Sequence, residues 1–173
     1  PGFNMMSVPK KLQGNIKEIS VGSTFSAGVS NDGEVFVWGK TKITSVVDVK
    51  NIPDNMGKVV QIAAGADHIL AMNEQGQLFA WGNSRNKQCA IPAELKMVKN
   101  IKRIYSGFQS SAAVTEDGKV YFWGNTGIVD FKIGEYQGQI EKIAMNAQGV
   151  LGLTKDGQVV SLTANELAFS RIP

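Results

Sequence analysis

Four glycines close short polar steps along this chain at a nearly constant interval. They end Asn31-Asp32-Gly33, Glu74-Gln75-Gly76, Glu116-Asp117-Gly118 and Lys155-Asp156-Gly157, and lie 43, 42 and 39 residues apart. Five residues beyond each stands a large apolar side chain: Trp38, Trp81, Trp123 and finally Leu162. Each tryptophan is followed by a glycine, Gly39, Gly82 or Gly124. Eleven residues before the turn glycines come Gly22, Gly65, Gly107 and then Asn146. Two offsets held over four copies mean a small unit that cannot bury its own apolar face and stacks on its neighbours.

The second copy reads most plainly. Residues 59–63, 69–72 and 77–81 are short apolar runs separated by turn residues, which is strand patterning. A polar step ending in glycine between two such runs is a hairpin signal, here expected to be a type I′ turn. The same hairpins are expected at 25–30 with 34–38, at 111–115 with 119–123, and at 150–154 with 158–162. Small residues at Ala63, Ala64 and Gly65 suit an innermost strand, where units crowd closest. An aliphatic-proline pair recurs as Val8-Pro9, Ile52-Pro53, Ile91-Pro92 and Ile172-Pro173, and is lost at Ile133-Gly134. It predicts a fourth, outer strand, because proline is tolerated on sheet edges.

Four antiparallel strands per repeat predict an all-β fold of β-propeller blades. About four repeats are expected, forming an arc or fragment of a larger propeller. An unclosed β-solenoid is the alternative. Residues 1–14 are read as the outer strand of a preceding blade. The repeats follow at 15–57, 58–100, 101–139 and 140–173, the last divergent and incomplete. The first residue is Pro1, so a processed or excised piece of something longer is expected. An open arc would expose two blade faces, to be covered by missing blades or by a partner.

The chemistry-bearing residues are few. With one histidine, His68, no His₂ or His₃ metal site can form, and Cys89 has no second thiol beside it. Asp67 adjoins His68 in a strand-like stretch, where adjacent side chains point to opposite faces. The glycines sit at turn spacing, with no phosphate-binding Gly-x-x-x-x-Gly-Lys-Ser/Thr. Asp32, Asp117 and Asp156 read as turn formers. No catalytic, cofactor-binding or metal-ligating residue is therefore expected, and no enzyme. The net charge of +3 comes from lysines scattered among acidic and apolar residues, unlike a nucleic-acid-binding stripe. No apolar run approaches the ~18 residues of a membrane span.

The motif Ile62-Ala-Ala-Gly65-Ala-Asp-His68-Ile-Leu-Ala-Met72, followed by Gly76-Gln-Leu-Phe-Ala-Trp81-Gly82-Asn83, resembles the repeat of the regulator of chromosome condensation family. The stretch from Asn83 through Ile91-Pro92 to Leu95 is similar to a short-repeat bacterial and viral branch that includes propeller-type β-lactamase inhibitory proteins. The resemblance runs over about residues 8 to 173 and implies the propeller. The fourth copy departs from it, with Asn146 for glycine and Leu162-Thr163 for Trp-Gly.

Repeat positions are expected to pack, so Gly22, Gly33, Trp38, Gly39, Gly65, Gly76, Trp81, Gly82, Gly107, Gly118, Trp123, Gly124 and Gly157 are read as structural. Binding falls to loops that vary between copies. One set precedes each hairpin and contains Thr24, Phe25, Asp67, His68, Phe108 and Gln109. In the inhibitory relatives a rim similar in place carries aromatic contacts, so Phe25, His68 and Phe108 are candidate anchors on one face. The other set follows Trp-Gly and contains Lys40 to Lys42, Arg85 and Asn86 within 83–87, and Asn125 to Gly127. The expected function is a non-enzymatic module that binds a protein partner through one rim, as an inhibitor-like or receptor-like surface. The alternative is a scaffold segment of a larger cell-surface, secreted or viral assembly. A GTPase- or chromatin-directed regulator follows from family analogy alone. Partners are then proteins or further blades, with no cofactor, and with nucleic acid or a small-molecule substrate not expected. The compartment is left open, with an extracellular, surface or virion setting favoured over the cytoplasm.

Overall fold

A computed structural model describes residues 7–125 and 133–163. Four antiparallel sheets follow one another along the chain, each with its strands in sequence order. The first is β1 (Glu18–Val21), β2 (Phe25–Val29) and β3 (Val35–Gly39). The second is β4 (Val59–Ala64), β5 (His68–Asn73) and β6 (Leu78–Gly82). The third is β7 (Ile101–Ser106), β8 (Ser110–Thr115) and β9 (Val120–Gly124). The fourth is β10 (Ile140–Met145), β11 (Val150–Thr154) and β12 (Val159–Ser161).

Each sheet has three strands among the described residues, where the sequence predicted four. Three of the stretches meant for outer strands form short 3₁₀ turns at Lys10–Leu12, Ala93–Met97 and Gly134–Tyr136, and the one at Ile52-Pro53 forms neither strand nor helix. Proline explains the difference in two of them. Pro9 and Pro92 sit at the N-caps with φ −54° and −55°, so the residues after them coil and drop Leu12 and Leu95 into the core. Ile172-Pro173 and residues 1–6 lie outside the described residues.

The hairpins stand where predicted, but the turn differs. Of the step residues only the glycine takes positive φ: +85° at Gly33, +79° at Gly76, +82° at Gly118 and +89° at Gly157. Each glycine N–H donates to the carbonyl three residues back, at 3.0 Å in all four. This is a type I turn closed by a glycine bulge. The residue opening each turn locks it. Ser30, Thr115 and Thr154 hydroxyls accept the N–H four residues on, as does the Asn73 side-chain oxygen.

Sheet stacks on sheet in one repeated way. Trp81, paired with Ile69 across β5–β6, lies with Ile62 and Ala71 against Phe25, Ala27, Val29 and Val37 of the first sheet. Trp123 does the same against Leu70 and Met72 of the second, and Leu162 against Ala112 and Val114 of the third. Middle strands β2, β5 and β8 are buried along their whole length: β5 and β8 lie between two neighbouring sheets, while Leu12, Ile16 and Trp38 close over Gly28 on the outer side of β2. Trp38, at the start of the arc, is half-buried.

Candidate functional site

The inner strands β1, β4, β7 and β10 bring four turns to one rim, at Gly22, Gly65, Gly107 and Asn146. Each of these N–H groups donates to the carbonyl three residues on, at 2.9, 2.9, 2.8 and 3.1 Å. The turns are also tied to one another. Ser23 N–H donates to Ala66 O at 3.0 Å, and Ala66 N–H donates to Phe108 O at 2.8 Å.

The three expected aromatic anchors separate here. Phe25 and His68 are fully buried, which corrects their placement on an exposed rim. Their rings fold back over the glycine three residues before them. A Cβ on Gly22 would lie 2.4 Å from the Phe25 ring, and one on Gly65 would lie 2.1 Å from His68. The glycines exist to admit those rings. Phe108 is the exception, 48% exposed.

Thr24, Asp67 and Gln109 hold the rim to the loops after Trp-Gly. The Thr24 hydroxyl donates to Lys40 O at 2.8 Å, Asn83 Nδ2 donates to Asp67 Oδ2 at 3.0 Å, and Asn125 Nδ2 donates to Gln109 Oε1 at 2.9 Å. Backbone bonds from Lys40, Asn83 and Asn125 to the same three residues double each latch. The two loop sets singled out in the sequence are therefore one connected surface. Thr126 and Gly127 lie outside the described residues.

Phe108 borders three adjoining depressions of about 390, 280 and 210 Å³. The first runs along the axis past Val21, Gly65 and Met145; the second holds Gln109, Asn125 and Gln148; the third holds Thr24, Lys40 and Asp67. Arg85 is exposed and Asn86 half-buried, and neither borders these depressions.

Beneath the rim lies a polar cluster that sequence reasoning missed. His68 Nε2 stands 2.9 Å from Ser111 Oγ, whose hydroxyl donates to Gln88 O at 2.9 Å. Gln88 O also accepts Trp123 Nε1–H at 3.0 Å, as Val49 O accepts Trp81 Nε1–H at 2.7 Å. With the serine hydrogen given to Gln88, His68 donates through Nε2. His68, Ser111 and Gln88 are all closed to solvent, so this pair is built as core. Burial lowers the His68 pKa to about 4, against the smaller opposing pull of Asp67. Burial likewise raises the Cys89 thiol to about 11, away from thiolate reactivity. Among the described residues no three His, Cys, Asp or Glu side chains gather as a metal site requires. No helix among them is long and apolar enough to cross a membrane.

The His68 shift has a testable sign. The unfolded chain protonates His68 near its ordinary 6.5 and the native state only near 4, so between them the native state binds fewer protons. Stability is therefore full above pH 6.5 and falls by about 3 kcal/mol as pH drops to 4. Urea titrations at pH 4.5 and 7 measure it. His68→Phe, which copies Phe25 of the first sheet, flattens that part of the pH slope; an unchanged slope refutes the assignment.

Stacked sheets with glycine turns, and a Trp-Gly seam between them, define a repeat-built β-propeller whose variable chemistry lies on one rim. The fold is an RCC1-like propeller. The model of the regulator of chromosome condensation (RCC1) repeat matches residues 16–41 and 59–88. Among solved structures the chain is similar to Prp20p from Saccharomyces cerevisiae, with 22% identity and a TM-score of 0.71. That match covers 95% of this chain and 48% of Prp20p, a protein described with its binding properties to Gsp1p and histones. Yeast RCC1 (Prp20) bound to Kap60 gives 23% identity and a TM-score of 0.67, over 93% of this chain and 45% of that one. The ectodomain of the Arabidopsis thaliana receptor kinase ACR4 gives 20% identity and a TM-score of 0.62, over 91% and 53%. The chain thus spans about half the length of these structures. No curated protein sequence matches it.

Proposed function

We propose that this chain is a non-enzymatic protein-interaction module that docks a protein partner on the rim around Phe108. One observation carries the reading. The position after each inner-strand terminus is Ser23, Ala66 or Ala147 in three repeats and Phe108 in the other, half-exposed among three depressions. An aromatic anchor ringed by amides and lysines is the composition of an interface centre with its polar rim. Burial of the His68–Ser111 pair supports the absence of catalysis. The protein partners described for Prp20p and yeast RCC1 support a protein as the occupant, and make a Gsp1p-like GTPase, histones and a Kap60-like protein the first probes.

Phe108→Ala is expected to weaken partner binding by about tenfold or more, with the melting temperature unchanged because the ring is half-exposed. Binding isotherms against those probes, and against proteins cross-linked by a photoreactive residue at 108, measure the effect. Unchanged affinity in every case removes the rim reading. Among the described residues, the exposure of Ile19, Val21 and Val159 on the first and fourth sheets favours a second reading, a segment of a larger assembly.

A further inference from the structure

The second repeat keeps an opening at the turn end of its sheet, the end away from the Phe108 rim. In the first and third repeats the chain entering the next sheet covers the turn glycine. The Gly33 carbonyl accepts the Val59 N–H at 3.1 Å, and the Gly118 carbonyl accepts the Gly138 and Ile140 N–H groups at 3.0 and 3.1 Å. Among the described residues no backbone N–H donates to the Gly76 carbonyl. A Cβ on Gly33 would lie 2.8 Å from the Lys58 Cα and one on Gly118 2.6 Å from the Gly138 oxygen, whereas one on Gly76 would meet nothing nearer than the Lys99 oxygen at 3.9 Å. The space left is a cavity of about 320 Å³, large enough for a small ligand. Leu78, Ile91, Leu95 and Val98 give it apolar walls, and the exposed Lys96 and Lys99 line it as well.

An open backbone edge borders this cavity. The Asn73 N–H donates to Gln77 O at 3.1 Å, so the next pair, Met72 with Leu78, is the one without ladder bonds, and the Leu78 N–H and C=O face away from β5. Val120 holds the same place in the third repeat, after the Thr115–Lys119 bond. There the Gln137 carboxamide clasps it. The Val120 N–H donates to Gln137 Oε1 at 2.7 Å, and Gln137 Nε2 donates to Val120 O at 3.0 Å. The Glu116 N–H donates to Asn100 O and the Lys155 N–H to Gln139 O, which aligns position 100 with 139 and therefore Val98 with Gln137. Valine brings no polar group, and no side chain among the described residues bonds the Leu78 N–H or C=O.

We propose that this cavity binds a small ligand carrying a primary carboxamide on an apolar stem, the amide making at Leu78 the two bonds that Gln137 makes at Val120. The edge selects the group, because one N–H asks for an acceptor and the carbonyl beside it for a donor, and a primary carboxamide holds both. A carboxylate is attracted by Lys96 and Lys99 but sets oxygen against the Leu78 carbonyl. The apolar walls receive the stem. The inference is independent of the Phe108 rim.

Amide-resolved NMR of the isotopically labelled full chain, titrated with hexanamide, tests it. Hexanamide is expected to move the Leu78 N–H resonance to saturation, while the Val120 N–H, already clasped, stays in place. N,N-dimethylhexanamide keeps the acceptor but loses the donor, and binds at least about tenfold more weakly. Hexanoate also binds more weakly than the amide. Val98→Gln supplies the third repeat's own carboxamide and abolishes the hexanamide response, with circular dichroism showing the variant folded. The proposal is overturned if Leu78 does not respond up to the solubility of hexanamide, if the dimethylamide or hexanoate binds as tightly, or if folded Val98→Gln binds hexanamide as the wild type does.

Discussion

Trp81→Ala lowers the unfolding free energy by about 3–5 kcal/mol, measured by urea denaturation. The ring fills the seam between the first two sheets, packed among Phe25, Ala27, Val29, Val37, Ile62 and Ile69. Its removal leaves a cavity whose walls belong to two separate sheets, which limits their collapse. It also strips the buried Val49 carbonyl of its indole donor, a further loss of about 1 kcal/mol. Trp38→Ala is the internal comparison. Trp38 holds the same repeat position on the open end of the arc and is half-buried, so its removal costs less. Equal costs for the two would show that the seam is not what holds the tryptophans.

Gly65→Ala is the more damaging change despite its size. The added methyl would lie 2.1 Å from the His68 ring and 2.6 Å from the carbonyl oxygen of Gly107. The ring could swing away, but the carbonyl belongs to the backbone of the next sheet, whose rim is bonded to this one. The loss should exceed about 4 kcal/mol, enough to unfold most domains of this size. Gly65→Ala with His68→Ala separates the two contacts, because only the first is relieved, and it regains part of the loss. Gly14→Ala meets nothing within 4 Å and costs only the strain of its φ of +71°, about 1–2 kcal/mol. Thermal melts of these variants rank them, and a Gly65→Ala protein as stable as Gly14→Ala would defeat the steric account.

The parts of this fold legible in the sequence are those that packing holds at a fixed distance along the chain. Turn glycine to tryptophan and inner-strand glycine to turn glycine recur because every sheet meets its neighbour at the same height. The tryptophan acceptors were not legible. Val49 lies 11 residues beyond Trp38 and Gln88 lies 7 beyond Trp81, so loops of different length deliver the same carbonyl. The rim latches do keep one spacing, 16 residues in each. Their chemistry changes from a Thr24 hydroxyl on the Lys40 carbonyl to Asp–Asn and Gln–Asn side-chain pairs, since the paired backbone bonds already hold the loops. The exposure of Phe25 and His68 was misjudged although a signal was present. A glycine three residues before a ring leaves space into which the ring can fold, and Phe108, with Tyr105 at that offset, has no such space. Of the aromatic rim, this leaves one ring on the surface.

The Glu18–Arg103 pair changes how such a molecule should come apart. In a stack of units each anchored only to the adjacent ones, the terminal unit frays first and the remainder scarcely notices. Here the Arg103 guanidinium reaches past the second sheet to the first, with Nη2 donating to Glu18 Oε1 at 3.0 Å. The same carboxylate oxygen accepts the Ile62 N–H between them at 3.1 Å. Peeling the first sheet therefore disturbs its two successors at once, and melting from that end is shared by three units as one cooperative step.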